Sequence, residues 1–271
     1  MFSVLMSVYI KDTPEYLERA MKSITIDQLS PPQEIVLVED GPIHPECKII
    51  INKFRKNGIS AIKTVQLEKN VGLGEALNIG LAECQHDIVF RMDADDISLC
   101  ERFQHQFDQI MSRGCGVLGT NIAEFEITEE KISGYRKVPS YHSDIVKFSR
   151  WRNPINHPSV AFRKSAVMSV GGYLDMRMFE DYYLWLRMLT AGIQINNLDV
   201  TLLKMRAGRE QHQRRSGVKY AFYEMKFMLK ASRLKLIPKK YAVANTIIKT
   251  PTRLIPRRLL GSIYNQLLRT R

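Results

Sequence analysis

Apolar positions along the first half of the chain follow two interleaved periods. Ser3–Val8 is a short, nearly continuous apolar run, and residues 34–38, 62–67 and 87–92 repeat it. Their length and β-branched content predict strands buried on both faces. Between them, Pro14–Ile24 places Tyr16, Leu17, Ala20, Met21 and Ile24 at helical spacing, with Asp12-Thr13 ahead of a proline as the start signal. Residues 46–56 and 73–82 predict two more helices. Strand and helix in such alternation imply an α/β fold with a mostly parallel central sheet flanked by helices.

Beyond about residue 115 the pattern loosens. It predicts strands at 116–126 and 159–162 and helices at 97–111, 143–150, 164–170 and 181–190. Residues 218–236 and 257–269 predict two last helices, separated by Pro238, Pro251 and Pro256. The organisation expected is one α/β core, residues 1–203, followed by a basic helical extension, 204–271.

Charge sharpens that division. The chain of 271 residues carries a net charge of +12, but residues 204–271 hold 18 Lys/Arg against two acids, whereas residues 1–203 hold 22 against 26. Such an extension must meet something anionic: phospholipid headgroups, a phosphorylated substrate or nucleic acid. Within 257–269, Leu259, Leu260, Ile263, Tyr264, Leu267 and Leu268 share one helical face and Arg257, Arg258, Gln266 and Arg269 take the rest. This suits the surface of an anionic membrane, or packing on the core. No apolar run approaches the ~18–20 residues of a membrane span. The opening run lacks a basic n-region and a cleavage site, so it reads as a first strand and the chain is expected in the cytosol. Four cysteines (Cys47, Cys84, Cys100, Cys115) without CxxC spacing give no zinc site or disulfide framework and suit a reducing compartment.

In open parallel sheets ligands bind beyond the carboxyl ends of the strands. Three clusters fall there: Tyr9 with Lys11-Asp12, Glu39-Asp40-Gly41, and Asp93-Ala94-Asp95-Asp96. No glycine-rich turn follows the first strand, and Gly72-Leu73-Gly74 lacks a third glycine at the dinucleotide spacing, which argues against a nicotinamide enzyme. Three carboxylates within four residues call for a compensating cation, and a hard divalent ion would supply it. An Asp-rich turn capping the next helix is the other reading. Glu180-Asp181 opens a helix, which favours acids by its dipole and also presents them for chemistry. Trp185 reads as core, with Leu184 and Met188 beside it.

Taken together, Ser3–Val8 with Tyr9, the run ending Glu39-Asp40-Gly41, the run from Asn70-Val71-Gly72-Leu73-Gly74 to Leu77-Asn78-Ile79-Gly80 and Arg91-Met92-Asp93-Ala94-Asp95-Asp96 resemble the nucleotide-binding half of family 2 glycosyltransferases over roughly residues 2–110. The Arg206-Ala207-Gly208 and Arg214-Arg215-Ser216-Gly217 segments add to the likeness. A weaker likeness continues through Asn156-His157-Pro158-Ser159 and Phe179-Glu180-Asp181-Tyr182. It is most similar to the amylovoran and O-antigen branch. Glu39 stands where the family commonly has a second aspartate.

The resemblance implies a GT-A fold, with residues 1–110 as the nucleotide-sugar-binding half and 111–203 as the acceptor side. Val8, Tyr9, Glu39, Asp40, Asn70, Gly72, Arg91, Asp93, Ala94 and Asp95 would bind a UDP-sugar, with Arg214 and Arg215 as forked donors to phosphate. Asp93 and Asp95 would hold Mn²⁺ or Mg²⁺; His212 is too poorly matched to be assigned to the metal. Asp181 would be the general base, with Glu180 and His157 on the acceptor side. The activity implied is inverting transfer of a hexose, galactose or glucose first, to a polyprenyl-diphosphate-linked saccharide in O-antigen, capsule or exopolysaccharide synthesis. The enzyme would be peripheral on the cytoplasmic face of the inner membrane, against its anionic inner leaflet. Two competing classes fit less well. A nucleotidyltransferase would carry a Gly-rich basic loop after the first strand, and a nucleic-acid-binding module would interleave stacking aromatics with its basic residues.

Overall fold

The computed structural model describes residues 1–208 and 217–254. Inter-residue contacts divide the chain into two units: Met1–Met176 with Glu180–Ala207, and Arg177–Phe179 with the residues from Gly208 onward.

In the first unit the strands are β1 (Ser3–Val8), β2 (Glu34–Glu39), β3 (Ala61–Gln66), β4 (Ile88–Asp93), β5 (Ile97–Ser98), β6 (Val117–Phe125), β7 (Ile132–Arg136), β8 (Ala161–Arg163) and β9 (Ile195–Arg206). The helices are α1 (Pro14–Ile24), α2 (Pro45–Asn57), α3 (Leu73–Glu83), α4 (Arg102–Arg113), α5 (His142–Phe148), α6 (Lys164–Ser169) and α7 (Glu180–Thr190), with a 3₁₀ turn at His157–Ser159. One sheet runs in the order β3-β2-β1-β4-β8-β6-β9-β5, and β7 pairs with β6. The β3-β2-β1-β4 block is parallel; β4–β8 and β8–β6 are antiparallel, and β6–β9 is parallel again.

Strand β1 shows why the sheet is covered twice. Its alternate residues Val4, Met6 and Val8 pack with Leu17, Met21 and Ile24 of α1 and with Ile51 and Phe54 of α2. Leu5, facing the other way, packs with Val36 and Val38 of β2, with Ala76, Leu77 and Leu81 of α3 and with Leu184, Trp185 and Met188 of α7. The period of two divides one apolar run between two cores. Trp185 is fully buried, as its helical neighbours predict.

Within this first unit the structure corrects the sequence reading in three places. The helix expected over 97–111 starts only at Arg102, because Ile97–Ser98 is a strand paired with Lys204 and Leu203 of β9. Partners distant in sequence fix it: Ser98 N donates to Ser23 Oγ at 3.1 Å, and Gln28 Nε2 donates to the Leu99 carbonyl at 2.8 Å. Residues 159–162 divide into the end of the 3₁₀ turn and the three-residue β8. Strands β7 and β9 have no counterpart in the periodicity.

The second unit holds two helices, α8 (Val218–Arg233) and α9 (Lys239–Leu254). Helix α9 carries Pro251 in its last turn, where the sequence reading places a separator. Phe179 stacks on Phe227 of α8 with ring centroids 4.9 Å apart. Arg253 of α9 bonds both carboxylate oxygens of Glu224, at 3.0 and 3.3 Å, and lies over the Tyr220 ring. Arg214, Arg215, His212 and the helix expected at 257–269 lie outside the described residues.

Candidate active site

The site starts where β1 and β2 end side by side. Asp40 N donates to the Val8 carbonyl at 2.8 Å, and a tight turn follows β1, with Tyr9 N donating to Asp12 Oδ2 at 2.8 Å. The buried Asp40 carboxylate accepts from Asn70 Nδ2 at 2.9 Å, Val71 N at 2.7 Å and Gly72 N at 3.2 Å. It therefore holds the loop that leads into α3. The loop passes so near Gly41 (φ +82°) that a Cβ there would fall 2.6 Å from Asn70 N. Only glycine fits both constraints. Glu39 is buried, accepts from Gln66 Nε2 at 3.3 Å and has Lys48 Nζ 3.8 Å away.

Strand β4 delivers the second cluster. Arg91 and Asp93, two residues apart, project from the same face of the strand. The buried Arg91 guanidinium grips both carboxylate oxygens of Asp93. Beyond it, the carboxylate oxygens of Asp93, Asp95 and Asp96 lie within 4.8 Å of one another. Burial first, and then the charge of Asp93, push the Asp95 carboxyl up to about 6. Asp96 is raised well above its ordinary value by burial, then by Asp95 and Asp93. Its Oδ1 accepts from Arg206 N at 2.9 Å, whereas its buried Oδ2 has no hydrogen-bond partner among the described residues. Arg206 also reaches the Asp95 carbonyl at 3.3 Å and stacks on Tyr16. An oxygen-only donor set, crowded negative charge and an unpartnered buried carboxylate oxygen together fit a hard divalent cation.

The third group gathers across a half-open cleft of about 40 Å³ between Leu73, Gly74 and Leu77 of α3 and His157, Tyr173, Glu180 and Asp181. His157 Nε2 lies 2.8 Å from the Tyr173 hydroxyl. Tyr173 is pinned from α3: Asn78 Nδ2 donates to its carbonyl at 2.6 Å, and its own N–H donates to Asn78 Oδ1 at 2.7 Å. Asn153 Nδ2 donates to Asp181 Oδ2 at 2.7 Å. Burial holds His157 well below its usual range, with Arg91 adding to the effect, so the imidazole is neutral. Burial raises the Tyr173 hydroxyl, and the charges of Arg91, Asp181 and Asp93 all act on it.

Nearly every residue singled out from the sequence lies in this assembly. Periodicity and motif did not reveal Asn153 and Tyr173, which act from distant segments, nor the buried Arg102; Asn78 and Arg206 stand in segments that carry the resemblance, which assigns them no role. Arg102 Nη2 donates to the carbonyls of Arg91 at 2.9 Å and Pro158 at 3.3 Å. It thus ties the strand bearing the acids to the turn bearing His157.

An α/β sheet of this order, with acids at the ends of its second and fourth strands and a carboxylate pair opening α7, is a GT-A glycosyltransferase fold. The chain belongs to glycosyl transferase family 2, whose sequence model matches residues 3–171. It is 39% identical, over 99% of its length and 96% of the other's, to the UDP-Gal:alpha-D-GlcNAc-diphosphoundecaprenol beta-1,3-galactosyltransferase of Escherichia coli. It is also 39% identical to the amylovoran biosynthesis glycosyltransferase AmsE of Erwinia amylovora, over 98% of both chains. Among solved structures it superposes on the mannosyltransferase PcManGT of Pyrobaculum calidifontis in complex with GDP-Man and Mn²⁺ (TM-score 0.67, 16% identity, 93% of this chain and 71% of that one). It also superposes on S. aureus TarS 1–349 with UDP-GlcNAc (TM-score 0.65, 18% identity, 85% of this chain and 66% of that one).

Proposed function

We propose that this glycosyltransferase moves a hexose, galactose or glucose, from a UDP-sugar to a polyprenyl-diphosphate-linked saccharide, with inversion at the anomeric carbon. The product would be an intermediate of a bacterial O-antigen, capsule or exopolysaccharide. The observation that carries this reading is the 39% identity to the E. coli galactosyltransferase over almost the whole of both chains. The likeness to AmsE supports the polysaccharide context.

In this reading Val8, Tyr9, Asp40, Asn70 and Gly72 receive the uracil and ribose, with Glu39 supporting them from the end of β2. Asp40 fixes the loop through its three hydrogen bonds rather than offering a vacant carboxylate. Asp93 and Asp95, with Asp96 beside them, would hold Mn²⁺ or Mg²⁺, which neutralises charge on a departing diphosphate. Arg91 holds Asp93 in position, and Arg214 and Arg215 would add forked donors to the diphosphate.

The acceptor hydroxyl enters the cleft beside Asp181, which takes its proton as the new C–O bond forms and the sugar–phosphate bond breaks. His157 and Glu180 line the acceptor's approach. His157 stays neutral, so it offers one hydrogen bond and no charge. The enzyme would work at the cytoplasmic face of the inner membrane, where a polyprenyl-held acceptor is presented; among the described residues no helix is long and apolar enough to cross a membrane.

The test is a donor screen with the purified chain and a synthetic lipid-diphosphate acceptor. A single UDP-hexose giving a new glycosidic linkage supports the reading. Activity with a GDP-sugar instead would overturn the donor assignment.

A further inference from the structure

We infer that the paired helices α8 and α9 present a docking surface for the headgroups and upper acyl region of an anionic phospholipid bilayer. The inference deepens the proposed function by naming what brings the enzyme to a lipid-held acceptor, and it rests on that function for its purpose but not for its test.

Between residues 217 and 254 there are nine Lys/Arg and one acid, Glu224. That acid is buried and spent on Arg253 within the pair, so it offsets none of the outward charge. The inward side is satisfied: Tyr220, Phe227, Met228 and Ala231 of α8 and Ala242 of α9 are buried. The outward side is not polar, as a solvated helix would make it. Val218, Phe222 and Leu229 lie at positions i, i+4 and i+11, one stripe of α8, and each is at least half exposed. Lys219, Lys226 and Arg233, all exposed, border that stripe. Helix α9 adds Ile247 and Ile248, each at least half exposed, and the exposed Lys239 and Lys240 at its start.

Scattered exposed apolar residues need no explanation, but aligned ones bordered by a single sign of charge do. Nucleic acid would engage the lysines and leave the aliphatic stripe in water. A second copy of this chain would bring like charge against like. An anionic bilayer satisfies both halves, taking Phe222, Leu229 and Ile247 below the headgroups and pairing the lysines with phosphates.

The experiment is flotation of the full chain with phosphatidylcholine vesicles, with and without phosphatidylglycerol. Transfer to a short, water-soluble acceptor is measured in parallel. We expect binding only to the anionic vesicles, released as salt rises from about 0.1 M to about 1 M, where the screening length falls from about 10 Å to about 3 Å. Phe222→Ser with Leu229→Ser should weaken vesicle binding by about tenfold or more while soluble transfer persists. Lys226→Gln with Lys239→Gln and Lys240→Gln keeps every apolar side chain, and should weaken binding similarly should the first pair fail to fold. Vesicle binding that is absent, independent of charge or unchanged in the folded variants would overturn the inference. So would tighter binding to duplex DNA than to vesicles at equal salt, or a dimer abolished by the same substitutions. Loss of soluble transfer with vesicle binding intact would count against the proposed function instead.

Discussion

Asn153 and Asp181 are joined by a 2.7 Å hydrogen bond in which the Asn153 amide donates to one carboxylate oxygen, across 28 residues of sequence. A donor in that position does two things for a base: it fixes the direction of the carboxylate and it favours the charged form. Asp181→Asn should lower kcat by about 10²–10⁴-fold, the usual worth of a general base. Asn153→Ala should lower kcat by about tenfold, less than loss of the base itself, because the carboxylate loses the group that fixes its direction. Wild-type kcat in a folded Asn153→Ala variant would show that the bond has no bearing on the base.

His157 makes stability depend on pH. Burial holds its folded-state pKa well below the ordinary 6.5, so below that pH the unfolded chain takes up a proton that the folded chain refuses. Its contribution is complete above about pH 6.5 and is lost as pH falls further, with a slope near 1.4 kcal/mol per unit while the folded imidazole remains neutral. His157→Gln should flatten the decline between pH 6.5 and 5, as read by urea denaturation at several pH values. An unchanged slope would mean that other groups govern acid unfolding.

The crowded acids of β4 should oppose stability as they serve chemistry. Asp95 is raised from 3.8 to about 6 by burial and then by Asp93. A carboxyl raised on folding destabilises the fold above its unfolded pKa, and the full penalty is present above about pH 6. Asp95→Asn should therefore raise the melting temperature of metal-free protein at pH 7.5. That gain should shrink as pH falls below about 6 and vanish below the unfolded value of 3.8, where both states become protonated. The same substitution should cut transfer by about 10²-fold or more, because it weakens the hold of the acidic cluster on the cation that would neutralise the developing charge. A variant both active and no more stable would remove Asp95 from both roles.

Helix α3 lies hard against the sheet at Gly80, where a Cβ would stand 2.5 Å from Leu5 Cδ1 and 2.5 Å from Val38 Cγ2. Both neighbours are fully buried, so they have little room to retreat. Alanine is the better helix former by about 1 kcal/mol, yet overpacking costs about 1–3 kcal/mol. Gly80→Ala should give a net loss of stability in thermal or urea melts. A gain would show that α3 can shift away from β1 and β2 without loss.

The parallel half of the fold is legible because its signals are local: Ser3–Val8 is apolar on both faces, and Asp40 and Asp93 fall where apolar runs stop. The other half depends on partners that a window along the sequence does not contain. Strand β9 shifts register against β6 around Thr120, Asn121 and Ile122, so its apolar residues keep no steady period. Ile97-Ser98 resembles the start of a helix until Leu203 and Lys204 pair with it. The same division runs through the site. Asp93, Asp95 and Asp181 announce themselves by motif, whereas Asn153 and Tyr173 are ordinary residues whose roles come from the groups the fold places beside them. Pro251, tolerated in the last turn of α9, shows that a proline near a helix end is a poor separator.

The most direct test of the account is the anomeric configuration of the product. The purified chain would be given an α-linked UDP-hexose and a polyprenyl-diphosphate saccharide, and the new linkage read from its anomeric proton coupling by NMR. Single displacement with Asp181 as base requires a β-linked product, and Asp181→Asn should form little of it. An α-linked product, or full transfer by Asp181→Asn, would contradict the mechanism.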